Sequence, residues 1–186
     1  MKAFRLLGIW VLVIALVGMI GAQDYKPRSG ETVMKLAVEG RGNVYIRLYT
    51  KEAPKTTKHI SNLVKKGFYD GQKFFRVVTT PRPYIAQIGD PQTKTKDIDD
   101  PSIGNGGSGE RVPYEDTKKS NETGTVGLST LPKDRDSGDS QFYINLAPNK
   151  FFDGNYTVFG VVVDSMEVVR KIQRGDRVTK ATILEG

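Results

Sequence analysis

Between Gly67 and Pro91 the chain reads GFYDGQKFFRVVTTPRPYIAQIGDP, two strand-like runs joined by a proline-rich turn. Each run carries one polar side chain among apolar ones. Phe74, Phe75, Val77 and Val78 flank Arg76, while Tyr84, Ile85, Ala86 and Ile88 flank Gln87. Successive side chains of a strand alternate faces, so Arg76 is expected to share a face with Phe74 and Val78, and Gln87 with Ile85. A guanidinium on such a surface is either a charge snorkelling over the core or a donor positioned in a groove.

The rest of the chain sets the frame for that choice. Its 186 residues suit one domain plus a targeting segment, and 38% hydrophobic with 26% charged residues describes a globular chain. The net charge is +7 and falls to +5 once Lys2 and Arg5 are set aside with the acid-free N-terminal run. That excess is dispersed, with no aromatic-basic motif, so no nucleic-acid partner is expected. No cysteine is present, which excludes disulfides, thiol nucleophiles and zinc-thiolate sites.

Residues 1–22 differ from everything after them. Lys2 and Arg5 precede LLGIWVLVIALVGMI, a run of about 15 apolar residues ending near Gly21-Ala22. A spanning helix needs about 20, so a signal peptide cut after Ala22 is expected. The alternative is an uncleaved anchor, the only membrane contact foreseen. Either reading exports the folded part to a periplasmic or extracellular location. Residues 23–30 then form a linker, and 31–186 the folded domain.

Alternation marks strands at Val33–Val38, Asn43–Tyr49, Thr125–Thr130, Ser140–Leu146, Thr157–Val162 and Arg177–Leu184, beside the two runs around Arg76 and Gln87. Ala53-Pro54 opens a helix that runs to about Lys66 and stops at Gly67. A second, short helix follows Ser165 as its cap, with Met166, Val169 and Ile172 on its buried side. About eight strands with two helices and short turns predict a mainly β fold, a closed eight-stranded antiparallel barrel capped by two α-helices. The polar segment Gln92–Thr123 is read as one wall of a groove, because a loop of that length in a compact domain is usually functional.

Three features suggest other chemistry and fail on inspection. The sole histidine, His59, has Lys58 and Lys65 nearby and no G-x-S-x-G elbow to serve, so it reads as a solvated helix-face residue. The run Gly104–Glu110 lacks the Gly-Lys-Ser/Thr ending of a phosphate loop. Asp97, Asp99 and Asp100 lack calcium-loop spacing, and no metal is expected. Asn121 and Asn155 each open a glycosylation sequon.

Five dispersed segments, in order, resemble the cyclophilin-type peptidyl-prolyl cis-trans isomerases. They are Gly67–Val78, Gln87-Ile88-Gly89-Asp90, the glycine turn Gly104–Gly107, Ser140-Gln141-Phe142-Tyr143-Ile144 and Val158-Phe159-Gly160. The likeness extends over Glu31–Gly186 and implies a cyclophilin-like barrel. It also implies rotation about X–Pro bonds of unfolded or extended proline-containing polypeptides, by a monomer without metal or cofactor. Arg76 takes the place of the family's catalytic arginine and Gln87 that of the glutamine orienting it. Tyr84, Ile85, Tyr143 and Phe152 match the proline pocket, with Phe75, Gln141, Phe151 and Tyr156 beside it. Phe151 stands where many members have tryptophan, which implies weak cyclosporin binding. Thr79–Pro83 lengthens the turn after Arg76. Leu131-Pro132 replaces an Ala-Asn pair whose backbone holds substrate, and proline has no N–H to give. That substitution motivates the rival reading, a proline-peptide-binding or chaperone module with little catalysis.

Overall fold

Apolar residues two apart give the first hairpin its inner face. β1 (Thr32–Val38) and β2 (Gly42–Leu48) pair antiparallel with Met34 opposite Ile46 and Leu36 opposite Val44, all four fully buried. The computed structural model describes residues 24–186, so the signal-or-anchor reading of 1–22 lies outside the described residues. Helix α1 (Pro54–Lys65) follows, burying Ile60, Leu63 and Val64 and packing over β8 (Val178–Glu185). It has no acid in its own first turn. Glu115 supplies that charge from a distance, accepting from the N–H groups of Lys55 at 3.0 Å and Thr56 at 2.8 Å.

The other strands are β3 (Arg76–Val77), β4 (Ile85–Ile88), β5 (Thr125–Leu128), β6 (Phe142–Asn145) and β7 (Val158–Asp164). The eight-stranded sheet runs β3-β4-β6-β5-β7-β2-β1-β8, and every neighbouring pair is antiparallel. Its concave side encloses the core, where Phe142 meets Tyr69 and Phe159 edge to face.

The sheet curls almost into the expected barrel without a continuous closing ladder. Its ends meet at a bridge between Lys73 and Arg177, flanked by Phe74 N–H to Asp176 O at 2.9 Å and Val178 N–H to Gln72 O at 2.8 Å. The reason lies in β3, which is only two residues long. Phe74 does not share the face of Arg76 as alternation predicts; it turns fully into the core while Arg76 is exposed. Burying that ring contributes about 1.5–3 kcal/mol, and no backbone bond is lost, since the Phe74 N–H donates to Asp176 O and its carbonyl accepts from the Gly175 N–H, each at 2.9 Å.

Helix α2 (Met166–Val169) packs on β2 and follows Ser165 as expected, but Ser165 is not a side-chain cap. It sits in the left-handed region at φ 80°, and its hydroxyl accepts from the Tyr45 N–H at 3.3 Å. The hydroxyl is thereby drawn to the β2 edge, where the β2–β7 register shifts between Tyr45 and Ile46. No helix among the described residues is long and apolar enough to cross a membrane.

Candidate active site

Register places the key side chains in one row. Arg76 pairs with Gln87, Gln87 with Tyr143, and Tyr143 with Gly127, across β3, β4, β6 and β5. All point to the convex side, opposite the core row of Val77, Ala86, Ile144 and Val126. Glycine ends the row for a steric reason. A Cβ at position 127 would stand 2.3 Å from the Tyr143 ring, so the ring lies flat on the backbone of β5.

Arg76 is steered by a short relay. Gln141 donates to the carbonyls of Gly104 at 2.9 Å and Gly106 at 2.8 Å. With its amide so fixed, its oxygen accepts from Gln87 Nε2 at 3.0 Å. Gln87 then turns its own oxygen to Arg76 Nη1, 3.5 Å away. Among the described residues Arg76 has no carboxylate partner, and its guanidinium carbon lies 5.9 Å from the Tyr84 ring centre. The result is a directed, uncommitted cation beside an aromatic surface.

That surface is built from four segments. Tyr84 stacks on Phe151 with centres 5.8 Å apart, and Phe152 sits within 5.5 Å of Tyr84, 5.3 Å of Tyr143 and 4.8 Å of Tyr156. Ile85 is buried behind them. Phe75 is half-buried, its ring 3.4 Å from where a side chain on Gly104 would begin. Burial pushes the Tyr143 phenol far above its usual range, so it remains a neutral donor. It donates to Asn121 Oδ1 at 2.8 Å, and Asn145 Nδ2 donates to the same oxygen at 3.1 Å. Replacing Tyr143 by Phe should cost about 1 kcal/mol of stability, because Asn121 keeps one donor. Denaturant melts would read that loss, and kcat/KM should stay unchanged because the ring itself remains.

Leu131 and Pro132 form the outer rim. Both are exposed, Leu131 by 57%, and with Phe151, Phe152 and Tyr156 Leu131 lines a cavity of about 290 Å³. The Leu131 N–H donates to Ser137 Oγ at 2.7 Å, and its carbonyl accepts from the Asp134 N–H at 3.1 Å. The backbone of Leu131 is therefore already engaged inside its own turn. Of the site residues expected from sequence, Arg76, Gln87, Gln141, Tyr84, Tyr143, Phe151, Phe152 and Tyr156 come together. Leu131 borders them across the cavity.

Several supporting residues escape a sequence reading. Asp90, fully buried, accepts from the N–H groups of Gln92, Gly104 and Gly106 at 2.8, 2.6 and 3.1 Å, which holds the glycine loop under Gln141. Its signal was present as Asp before Pro91, an N-cap before a first-turn proline, and Asp90 does cap the 3₁₀ helix Pro91–Lys94. Asn149 donates to the Tyr84 carbonyl at 2.9 Å and ties the aromatic wall down, without any local pattern to announce it. Asn121 is fully buried in this network, so the folded chain does not present the first sequon.

Asp139 is the second anchor of the glycine loop. It accepts from the N–H groups of Ser108 at 3.1 Å and Gly109 at 2.9 Å. Burial raises its pKa, but the His59 imidazole 3.7 Å away, short of a hydrogen bond, together with the Ser108 hydroxyl and the two N–H groups, outweighs that and leaves it below the ordinary 3.8. A carboxylate with a depressed folded-state pKa stabilises the fold above its unfolded value, and this is lost as pH falls through the lowered one. Unfolding experiments at pH about 5 and about 3 should therefore show a smaller acid loss in Asp139→Asn than in the wild type. His59, expected on the solvated face of α1, is instead covered by this loop and only 10% exposed. The residues that face it, Glu110 and Asp139, are far from it in sequence.

Comparison with known proteins agrees with this fold. The sequence model of the family described as cyclophilin type peptidyl-prolyl cis-trans isomerase/CLD matches residues 33–185. A peptidyl-prolyl cis-trans isomerase-like 1 of Rhizopus delemar is 36% identical over 134 residues, covering 70% of this chain and 74% of the relative. A probable peptidyl-prolyl cis-trans isomerase of Brucella suis is 35% identical over 156 residues, covering 76% and 78%. A crystal structure of a Cryptosporidium parvum cyclophilin-type isomerase, determined in the presence of the dipeptide Ala-Pro, superposes with a TM-score of 0.69 at 19% identity. It covers 83% of this chain and 99% of that one, and the likeness is one of fold. With its sheet, its motifs and these relatives in agreement, the chain belongs to the cyclophilin-type peptidyl-prolyl cis-trans isomerases.

Proposed function

We propose that this isomerase accelerates X–Pro rotation in exported polypeptides, with Arg76 as the donor to the twisted amide. Resonance sets a barrier near 20 kcal/mol and uncatalysed times of about 10–100 s. No bond is made or broken. As the amide twists, its nitrogen becomes pyramidal and gains a basic lone pair. A donor aimed at that nitrogen stabilises the twisted state more than either planar one, which is the condition for acceleration. Arginine suits the task because it stays charged and its planar fork keeps its direction.

The observation that carries this reading is the relay from Gln141 through Gln87 to an Arg76 with no competing carboxylate among the described residues. The pyrrolidine ring would lie against Tyr84, Tyr143, Phe152 and Tyr156, where aromatic faces exclude water and strengthen the donor bond. A fold neighbour studied with Ala-Pro supports a short proline peptide as ligand. On the Leu131 side the substrate meets an apolar side chain, since that residue's backbone is engaged in its turn. Extended peptides with an apolar residue next to proline should therefore be preferred.

A protease-coupled proline-peptide assay on the full chain tests the activity. Activity lost in Arg76→Ala supports the reading; an unchanged rate overturns the arginine mechanism. The exported location rests on the basic and apolar pattern of residues 1–22. Fractionation with N-terminal sequencing should find the protein beyond the cytoplasmic membrane, starting at Gln23 or still carrying its first residues. Recovery from the cytoplasm alone would refute it.

A further inference from the structure

The sole histidine of the chain sits in a position that the isomerisation mechanism above does not use. His59 projects from α1 with its side chain 10% exposed, its Nδ1 3.8 Å from Glu110 Oε2 and its Nε2 3.7 Å from Asp139 Oδ1. Both separations exceed a hydrogen bond, and the buried Nε2 has no partner among the described residues. A neutral imidazole therefore leaves a polar atom unsatisfied, while an imidazolium faces a carboxylate on either side. Asp139, in turn, fastens the Ser108 and Gly109 backbone. The same loop supplies the Gly104 and Gly106 carbonyls that fix Gln141, which lies two residues beyond Asp139.

We propose that His59 is a positioning residue for the isomerisation: when protonated it bridges Asp139 and Glu110, holds the glycine loop against Gln141, and so stiffens the relay to Arg76. The proposal rests on the Arg76 reading. Around the imidazole, the charged groups are Glu110 from the loop and Asp139 from the approach to β6. Tyr69, packed nearby and fully buried, is held neutral by burial and by the Asp139 charge. On α1 itself, Lys55 and Lys58 are exposed and pair with neither carboxylate among the described residues.

The isomerisation transfers no proton, so the chemistry itself gives no reason for a pH step near neutrality. Histidine is the side chain whose ordinary charge change falls between pH 5 and 8, and this chain has one. In the full-length protein, kcat should rise as pH falls through whatever midpoint NMR reports for the His59 ring protons, with KM little changed. The rise should reach up to about fivefold, the rate equivalent of the ~1 kcal/mol that a partly exposed ion pair is worth. The midpoint should coincide with the NMR titration of the His59 ring protons. His59→Gln, a neutral amide of similar reach, and Asp139→Asn should each flatten the profile.

A flat wild-type profile, or a step that persists in His59→Gln, overturns the proposal. Should a variant fail to fold, the wild type alone decides, because a kinetic midpoint that departs from the histidine titration also overturns it. Arg76→Ala separates the two readings. If it abolishes activity while the wild-type profile is flat, the arginine mechanism stands and the His59 role falls.

Discussion

Arg76→Ala should lower kcat/KM about 10²- to 10³-fold, the loss typical of removing one positioned donor from a transition state. Stability should be nearly unchanged, because Arg76 is exposed, forms no ion pair among the described residues, and its side chain meets its neighbours only through one long bond to Gln87 and a loose approach to the Tyr84 ring. The effect should fall on kcat more than on KM, since the aromatic pocket proposed to bind the ring remains. Arg76→Lys should recover only part of the rate. An ammonium keeps the charge but lacks the planar fork that Gln87 can orient. Steady-state kinetics on a proline peptide, beside thermal melts of each variant, checks both halves of this expectation.

Phe142→Ala should do the reverse. Its ring is fully buried between Tyr69 and Phe159, and a truncation of this kind costs about 3–5 kcal/mol through lost transfer energy and the cavity left behind. Phe142 lies between Gln141 and Tyr143 in sequence, but its side chain points to the opposite face of the sheet. The folded fraction should therefore keep its relay and its kcat at low temperature. Urea unfolding read against activity would separate the two effects. A kcat lost in parallel with stability would mean that core and site are coupled more tightly than the alternation of β6 implies.

The strands legible in the sequence were those with one face in the core. In β1 and β2 the apolar residues of the inner face are buried as the pattern requires, because a one-residue slip would expose them, whereas all four residues of β6 are buried, two on each face. The same logic brought Gln87 and Tyr143 to one surface. It failed at Phe74, where the ring found a better place in the core and cut β3 to two residues. Periodicity could not reach Gln92–Thr123 either, because that segment is held by side chains bonding distant backbone. Asp90 binds Gly104 and Gly106, Glu115 binds the start of α1, and Asp153 binds Asn121. Such bonds have no repeat for a sequence to display. The misplacement of His59 has the same origin: its helix position looked solvent-facing until the loop was folded over it.

Arg76 is proposed to act on the twisted amide and not on ground-state binding. Two-dimensional NMR exchange spectroscopy of a proline peptide, with catalytic amounts of wild type and Arg76→Ala, tests it most directly. The same spectra report binding, as shifts of the peptide signals, and rotation, as cis–trans cross-peaks. Cross-peaks are expected with the wild type, and peptide shifts without cross-peaks for Arg76→Ala. Equal exchange rates for the two proteins would contradict that role of Arg76.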